Sequence, residues 1–394
     1  MGRHDEALPV AEESVRLMDG VPLLRARRTL RTHWRAQCHL VELLWRAGRY
    51  AEALQVGDDA LMIVDLMVRF YPAYARPFRA ELLAYLAQCH RQVDHLEDAA
   101  AAADKAVADY RELGEGYPAG TAWALVIRAD QLTALGRHSE ADAARREASE
   151  IYTSLADDDP DQYRESLFHV VRTRTDGLWD VGDRDAAVTL QFGFLPALRT
   201  FATADPDTYQ PRLANSLAVF AARAGLVGRE DALEYADQAL AIARRLANDG
   251  THDRLLACCL HNRAVVLKRI GLNTEAAGAA QEAVQVWRRL VETEPAIHET
   301  NLADSLALSG TMLYMLDRDE EAAGHLTEAA GILRHHADDP DDAERLADIL
   351  HDLGVAHSAD HRHREAMGES IEYRRRPLTR RNGQAHGHAA DQVG

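Results

Sequence analysis

The sequence has few cysteines, few aromatic residues and no long apolar run, and each shortage argues against a class of protein. Its four cysteines, Cys38, Cys89, Cys258 and Cys259, include no Cys-x-x-Cys pair, so we expect reduced, buried thiols rather than a metal site or a structural disulfide. No stretch of about 20 residues is continuously apolar, and the N-terminus lacks the pattern of a signal peptide. The sequence therefore predicts a cytoplasmic protein with no membrane partner.

The motifs of the common catalytic and nucleotide-binding sites are also absent from the sequence. It has no Gly-x-x-x-x-Gly-Lys-Ser/Thr phosphate loop, no Gly-x-Gly-x-x-Gly, no His-Glu-x-x-His and no Gly-x-Ser-x-Gly. His357 and His361 are spaced to share a metal ion on one helical turn, but His361 falls in a predicted turn and no third ligand is fixed nearby. We therefore predict no enzyme activity, no cofactor and no metal. The net charge of −18 argues against a nucleic-acid partner.

What the sequence does contain is a repeated unit, seen most clearly in residues 250–295. Its first half has an apolar helical face, formed by Leu256, Leu260, Ala264 and Leu267. Its second half has a longer one, formed by Ala276, Ala280, Ala283, Trp287 and Leu290. Gly271 lies between the two halves, where a glycine suits the left-handed residue that ends a helix. The unit is therefore predicted to be a helical hairpin.

Two sets of residues recur with the same period along the chain. A small residue follows each predicted hairpin turn at steps of 42 to 46, at Ala7, Ala53, Ala99, Ala141, Ala187, Ala232, Ala276, Ala322 and Ala366. A helix-terminating residue follows 18 or 19 positions later, at Pro72, Pro118, Pro160, Pro206, Gly250, Pro295 and Pro340. A fixed repeat period, with a helix-terminating residue at the same place in each repeat, is typical of a solenoid. The low aromatic content, 6% against 47% apolar, agrees with many close contacts through small side chains.

These residues resemble the pattern of the tetratricopeptide-repeat family over roughly residues 2–376. That pattern has a small residue in its first helix (helix A), seen here as Ala87, Ala129, Ala264, Gly310 and Gly354. It has a Gly-x-x-x-x-Ala turn, seen here as Gly48 to Ala53, Gly136 to Ala141 and Gly271 to Ala276. The period here exceeds the common one of about 34 residues, so the chain resembles the long-repeat bacterial variety, with a lengthened second helix (helix B). Thr175, Gln191 and Phe194 make residues 165–200 the weakest copy.

The resemblance implies an all-α fold, an α-solenoid of hairpins wound as a right-handed superhelix. We expect an orphan helix B at 1–20, then eight repeats to residue 376, and a disordered tail at 377–394. The three glycines of residues 114–120 predict a hinge. The orphan helix is expected to expose Leu8, Val15 and Leu17, which predicts either that the chain is part of a longer protein or that a partner, such as a second copy, covers this face.

In the resembling family, the inner wall of the array is built from helix A side chains and binds a protein or peptide. Carried over to this sequence, the predicted partner-binding residues are Arg91, Trp123, Asp130, Arg172, Asp176, Asn215, His261, Lys268, Thr311, Tyr314 and His351. The same wall includes Arg35, Glu42, Glu81 and Gln88. Trp123 is either an anchor in the groove or a core residue. The pairs Arg172/Asp176 and His261/Val265 lack the Lys and Asn of the family's clamp for chaperone tails.

Two functions follow from these expectations. The first is a non-enzymatic scaffold that binds a protein or extended peptide in the groove. The second is a regulatory or sensor array of a larger bacterial signalling protein of the nucleotide-binding type, which long repeats of this kind resemble.

Overall fold

A computed structural model describes residues 4–19, 27–247, 250–336 and 340–356, and within these ranges it contains sixteen α-helices and no strand. The chain divides into two compact units between Gln191 and Phe192. Eight helices lie in the first unit: α1 His4–Asp19, α2 Arg27–Arg46, α3 Tyr50–Phe70, α4 Pro72–Gln92, α5 Leu96–Glu112, α6 Pro118–Ala134, α7 His138–Asp158 and α8 Pro160–Asp180. Helix α9, Arg184–Ala204, contains the division. The second unit continues with α10 Pro206–Leu226, α11 Ala232–Leu246, α12 Asp253–Arg269, α13 Asn273–Thr293, α14 Pro295–Tyr314, α15 Asp319–Arg334 and α16 Pro340–Ala356. The predicted all-α hairpin array is confirmed.

The turn inside each hairpin has the same backbone structure. One residue with positive φ stands between helix A and helix B, and these residues are Gly48, Asp94, Gly136, Gly182, Gly228, Gly271 and Asp317. The next backbone N–H donates to the carbonyl oxygen five residues earlier, as from Arg49 to Leu44 (2.9 Å) and from Leu272 to Leu267 (3.0 Å). This is the Schellman termination of a helix. The glycine-based turn prediction is confirmed, and aspartate fills the same position twice.

The recurrent prolines have a different role from the one expected. The sequence assigns them to the end of helix B, but in the structure each is the first residue of the next helix A, as at Pro160 and Pro206. Proline suits this place because its missing N–H would have no partner in the first turn. The preceding aspartates cap the same helices: Asp159 accepts from the N–H of Gln162 at 3.1 Å, and Asp205 from that of Thr208 at 3.3 Å.

Small residues at the helix contacts allow close packing within each unit. Each helix packs on the next one along the chain, from α1 to α8 and from α10 to α16. Ala53, Ala141, Ala276 and Ala322, predicted to follow the turns, are all buried. Gly310 is so close to α15 that a Cβ there would lie 2.7 Å from Leu326 Cγ. Trp34 and Trp287 are the largest fully buried side chains among the described residues.

Helix α1 is covered more fully than the sequence predicts. Val15 is buried, and Leu8 packs against a core cluster that includes Leu40 and Val41 of α2. The expected exposure of Leu8 and Val15 is therefore wrong, because α2 already covers that face of α1. Leu17, as expected, is 68% exposed, and Val10 is 67% exposed.

The glycine-rich junction at residues 114–120 lies inside the first unit. Gly114–Gly116 forms a single 3-10 turn, and α6 begins at Pro118. Gly120 is therefore helical, and a Cβ there would lie 2.4 Å from the Tyr110 ring, so this glycine permits close packing of α5 and α6. The hinge at this junction stays a prediction.

The weakest repeat copy, residues 165–200, folds as the other copies do because its buried polar residue Thr175 has a hydrogen-bond partner in its own helix. Thr175 is buried, and its hydroxyl donates to the Val171 carbonyl at 2.8 Å, so the polar group has a partner inside α8.

No described helix combines the length and apolar character that a membrane crossing requires. The predicted disordered tail at 377–394, the second helix of the last repeat and the pair His357/His361 lie outside the described residues.

Candidate functional site

The first helices of adjacent hairpins approach one another and form a wall in each unit. In the first unit α4 contacts both α2 and α6, and in the second unit α12 contacts α10 and α14, which in turn contacts α16. We call these surfaces the helix A walls. They carry the residues that the sequence predicts to bind a partner.

Three aromatic side chains form a continuous series on the helix A wall of the first unit. The ring centroids of Trp45 (α2) and Tyr85 (α4) are 5.5 Å apart, and those of Tyr85 and Trp123 (α6) are 5.4 Å apart. All three side chains are partly buried. Trp123 is thus neither a core residue nor an isolated groove residue, because one side of its ring packs on Tyr85 and part of its surface remains exposed. We call this set the aromatic series.

A groove of about 270 Å³ adjoins the aromatic series between α2 and α4. Its lining residues are Arg35, Cys38, His39, Glu42, Phe78, Glu81, Leu82 and Tyr85. The guanidinium of Arg35 lies 5.8 Å from the centroid of the Phe78 ring, a cation–π distance. The groove therefore combines an apolar floor with charged groups of both signs along its rim.

Two carboxylates dominate the electrostatics of this groove. Burial, and secondly the charge of Glu42, raise the pKa of Glu81. Burial and these same carboxylates raise the pKa of Tyr85 to about 12. Glu42 itself pairs with Arg46 at 2.6 Å and with His39 at 3.4 Å. A cation placed beside Glu81 would relieve the repulsion that the two carboxylates exert on each other.

The predicted partner-binding residues of the first unit divide into exposed and internally paired ones. Arg91 is exposed near the end of α4. Asp130 accepts a hydrogen bond from the buried Arg145 of α7 at 3.1 Å, which ties α6 to α7. Arg172 and Asp176 lie one turn apart on α8 and pair with each other at 3.4 Å.

In the second unit, some predicted residues join adjacent helices instead. Nδ1 of His261 (α12) lies 3.0 Å from the hydroxyl of Ser305 (α14). The hydroxyl of Thr311 (α14) donates to Asp352 (α16) at 3.1 Å. Both contacts stabilise the wall itself. The predicted residues that remain exposed on this wall are Asn215, Lys268, Tyr314 and His351.

Two Ser–His pairs lie between described helices of the second unit. Besides His261 and Ser305, Nδ1 of His325 lies 3.0 Å from the hydroxyl of Ser309. Both serines are fully buried, and burial lowers the pKa of His261 to about 4, which makes it a poor base at neutral pH. These pairs satisfy buried polar groups rather than expose a nucleophile.

The sequence reasoning missed two sets of residues that the structure brings together. It did not connect Trp45 and Tyr85 with Trp123, because their separations of 40 and 38 residues do not follow the repeat period. It also missed His90, His95 and Asp98 at the turn between α4 and α5, whose ligand atoms lie within 4.8 Å of one another. The signal for this second set was present, since His90, His95 and Asp98 lie within nine residues of sequence.

The opposite surface, formed by second helices, carries ion pairs between neighbouring hairpins. Arg111 pairs with Glu147 at 2.6 Å in the first unit. Arg244 pairs with Glu282 at 2.8 Å in the second, beside a recess of about 500 Å³ between α11 and α13. Exposed pairs of this kind contribute little to stability. This outer surface therefore provides sites for control substitutions.

Comparison with known proteins agrees with this architecture. The sequence profile of the tetratricopeptide-repeat family matches residues 256–296, within the unit that the sequence shows most clearly. No curated protein matches the chain in sequence at a significant level.

Solved structures with similar folds span nearly the whole chain. The apo form of RapI superposes with a TM-score of 0.63 at 11% identity, covering 96% of this chain and 99% of its own. Aspartyl phosphate phosphatase F from Bacillus subtilis gives 0.52 at 14% identity, covering 95% and 93%. A STAND signal-transduction ATPase with a tetratricopeptide-repeat sensor, from Pyrococcus horikoshii, gives 0.55 at 13% identity, covering 98% of this chain. The chain spans 55% of that ATPase's length.

At identities of 11 to 14%, the solved structures show that the chain shares their fold. The family match at residues 256–296 indicates the family of that repeat. With the same Schellman turn repeated between its described hairpins, the chain has the fold of a tetratricopeptide-repeat array, and its residues 256–296 match that family.

Proposed function

We propose that this protein is a non-catalytic interaction scaffold that binds a protein or an extended peptide on the helix A wall of its first unit. The observation that carries the proposal is the aromatic series beside the groove between α2 and α4. Partly exposed aromatic side chains supply large, rigid contact surfaces, and such residues dominate binding energies at interfaces.

The charges of the groove define the partner further. Glu42 and Glu81 approach closely enough for the charge of one to raise the pKa of the other. A partner that places a lysine or arginine beside Glu81 and an apolar side chain on the aromatic series would satisfy both features. The net charge of −18 adds a long-range attraction for a basic partner.

The thiols support a role in binding rather than catalysis. Burial raises the pKa of Cys38, Cys89 and Cys259 to about 12. At neutral pH these groups are protonated and therefore weak nucleophiles. Together with the enclosed Ser–His pairs, the described residues offer binding surfaces rather than an activated nucleophile.

The decisive experiment compares the binding of wild-type protein with that of two wall variants and one outer-surface variant. Partners captured from a native extract are identified, and the affinity of the purified partner is then measured. Trp123→Ala is expected to weaken binding by about 2 kcal/mol or more, and Glu81→Gln to weaken it in a salt-dependent manner. Glu282→Ala, on the outer surface, is the matched control and should bind as wild type.

Thermal unfolding without a partner separates binding from packing. Trp123→Ala loses its contact with Tyr85, so a modest loss of stability is expected. A large loss, with the affinity of the folded fraction unchanged, would assign Trp123 to packing and refute its role as an anchor.

A second candidate function is a regulatory or sensor array of a larger signalling protein. The observation that favours it is the fold likeness to the STAND ATPase with a tetratricopeptide-repeat sensor, of which the chain spans 55%. The apo quorum sensor NprR from B. thuringiensis also has a similar fold, with a TM-score of 0.50. A nucleotide-binding domain encoded in frame with this chain would support this role, whereas a coding region that holds this chain alone would contradict it.

A further inference from the structure

The turn between α4 and α5 differs from the other hairpin turns at three positions together. In six of the seven described turns, the residue that accepts the Schellman hydrogen bond is an apolar residue near the end of helix A: Leu44, Leu132, Leu178, Ala224, Leu267 and Leu313. All six are buried. In the seventh turn this position is His90, whose carbonyl oxygen accepts from the N–H of His95 at 2.9 Å.

The other two positions carry an ion pair in three of the six other turns. Five and eight residues after the buried leucine, three turns have an arginine and a glutamate that pair at 2.6 to 2.7 Å: Arg49 with Glu52, Arg137 with Glu140 and Arg318 with Glu321. In the turn between α4 and α5 these positions are His95 and Asp98. This hairpin therefore has His, His and Asp at the positions where three other hairpins have Leu, Arg and Glu.

His90 places a polar ring where its counterparts are apolar. Its Nδ1 is buried and has no hydrogen-bond partner among the described residues. Leaving a buried polar atom unpaired is unfavourable, and a bound ion would give this nitrogen a partner. The His90 and His95 ring centroids are 5.9 Å apart, and one ligand atom from each of His90, His95 and Asp98 lies within 4.8 Å of the other two.

We propose that His90, His95 and Asp98 bind a divalent transition-metal ion of the zinc class. Two imidazoles and a carboxylate are donors that Zn²⁺ accepts, with three protein ligands and an open position for water. Around tetrahedral zinc the ligand atoms are about 3.3 Å apart, so the cluster must contract. The exposed side chains of His95 and Asp98 can rotate to achieve this.

Two carboxylates lie near His90 at this turn, those of Asp98 and of Asp58 in α3. The positive φ of Asp94, 63°, and the hydrogen bond from His95 to His90 hold the two histidines on adjacent arms of the turn. A bound ion would join the end of α4 to the first turn of α5, and it would stabilise the folded hairpin by mass action.

Calorimetric titration of the full chain with Zn²⁺ in metal-free buffer tests the site. Wild-type protein is expected to bind one equivalent more than His90→Leu and one more than Asp98→Asn. His138→Ala, at an exposed histidine that begins the second helix of the next hairpin, is the matched control and should retain every equivalent. Because Asp98 is exposed, Asp98→Asn tests the site even if His90→Leu fails to fold.

Thermal unfolding provides a second readout. With a chelator present, His90→Leu should melt at or above the wild-type temperature, because leucine occupies this position in five other turns. Adding Zn²⁺ should raise the melting temperature of wild type and leave a smaller rise, or none, in His90→Leu and Asp98→Asn. Equal zinc stoichiometry and equal zinc-induced shifts in wild type and both variants would overturn the proposal.

Discussion

The close approach of α14 and α15 at Gly310 allows a sharp test of the packing. Replacing a glycine in a helix interior with alanine normally stabilises the helix by up to about 1 kcal/mol. At Gly310 the new Cβ would lie 2.7 Å from Leu326 Cγ and 3.2 Å from the carbonyl oxygen of Ala322, both on α15. The leucine can shift, but the backbone oxygen moves only with its helix. Overpacking of this kind costs about 1–3 kcal/mol.

The same hairpin contains its own control. Gly324 lies in α15, and a Cβ there would meet nothing within 4 Å. We therefore expect Gly324→Ala to raise the free energy of unfolding by up to about 1 kcal/mol, and Gly310→Ala to lower it by about 1–2 kcal/mol. The two variants make the same chemical change in adjacent helices, so their difference isolates the interhelix contact.

Denaturant unfolding measures both variants, and hydrogen exchange of the α14 and α15 amides locates the effect. The local readout is needed because repeat arrays do not have to unfold in a single step. If Gly310→Ala were as stabilising as Gly324→Ala, α14 and α15 would not be in the close contact described, and the small-residue explanation of the hairpin would be refuted.

Three further predictions concern pH, association and thiol reactivity. Burial lowers the pKa of His261 to about 4, so its imidazole stays neutral in the folded protein at neutral pH. Unfolding restores an ordinary pKa near 6.5. The contribution of His261 to folding stability is therefore complete above pH 6.5 and is lost as the pH falls toward 4. The urea midpoint of wild type should therefore drop more between pH 6.5 and 4 than that of His261→Gln, and equal drops would contradict this assignment. Val10 and Leu17 on α1 are exposed, so Val10→Glu with Leu17→Glu should reduce self-association in sedimentation experiments, and a wild type that stays monomeric at high concentration would refute the expectation. Cys89 and Cys259 are buried, so their alkylation at mildly alkaline pH should be slow in the folded protein and fast after denaturation. Rapid labelling of these two thiols in the folded protein would contradict their burial.

The hairpin architecture could be predicted because it depends on local rules. The turn glycines Gly48 and Gly271, which have positive φ, are recognisable in the sequence, and the spacing of apolar residues by three and four positions gives the helix faces. Asp94 and Asp317 take the same backbone conformation, yet aspartate is common in many other settings, so only the repeat register indicates them.

The candidate sites could be predicted only in part, because they depend on contacts between repeats. The sequence identified Trp123 and the helix A wall. It could not show how far α4 is shifted along α6, which decides that the Tyr85 ring packs on the Trp123 ring. It also could not show that the hydroxyl of Thr311 is already bonded to Asp352. The residue types were visible, but the distances between helices that decide their partners were not.

The order of contacts along the second unit has a mechanical consequence. Helices α10 to α16 pack mainly on neighbours one or two positions away along the chain, so a force pulling on the two ends of this unit passes through the hairpins in series. Each hairpin should yield separately instead of sharing the load. Losing one repeat of about 45 residues would release about 150 Å of extended chain, so the unit should lengthen in discrete steps and act as a soft spring between whatever is attached to its ends.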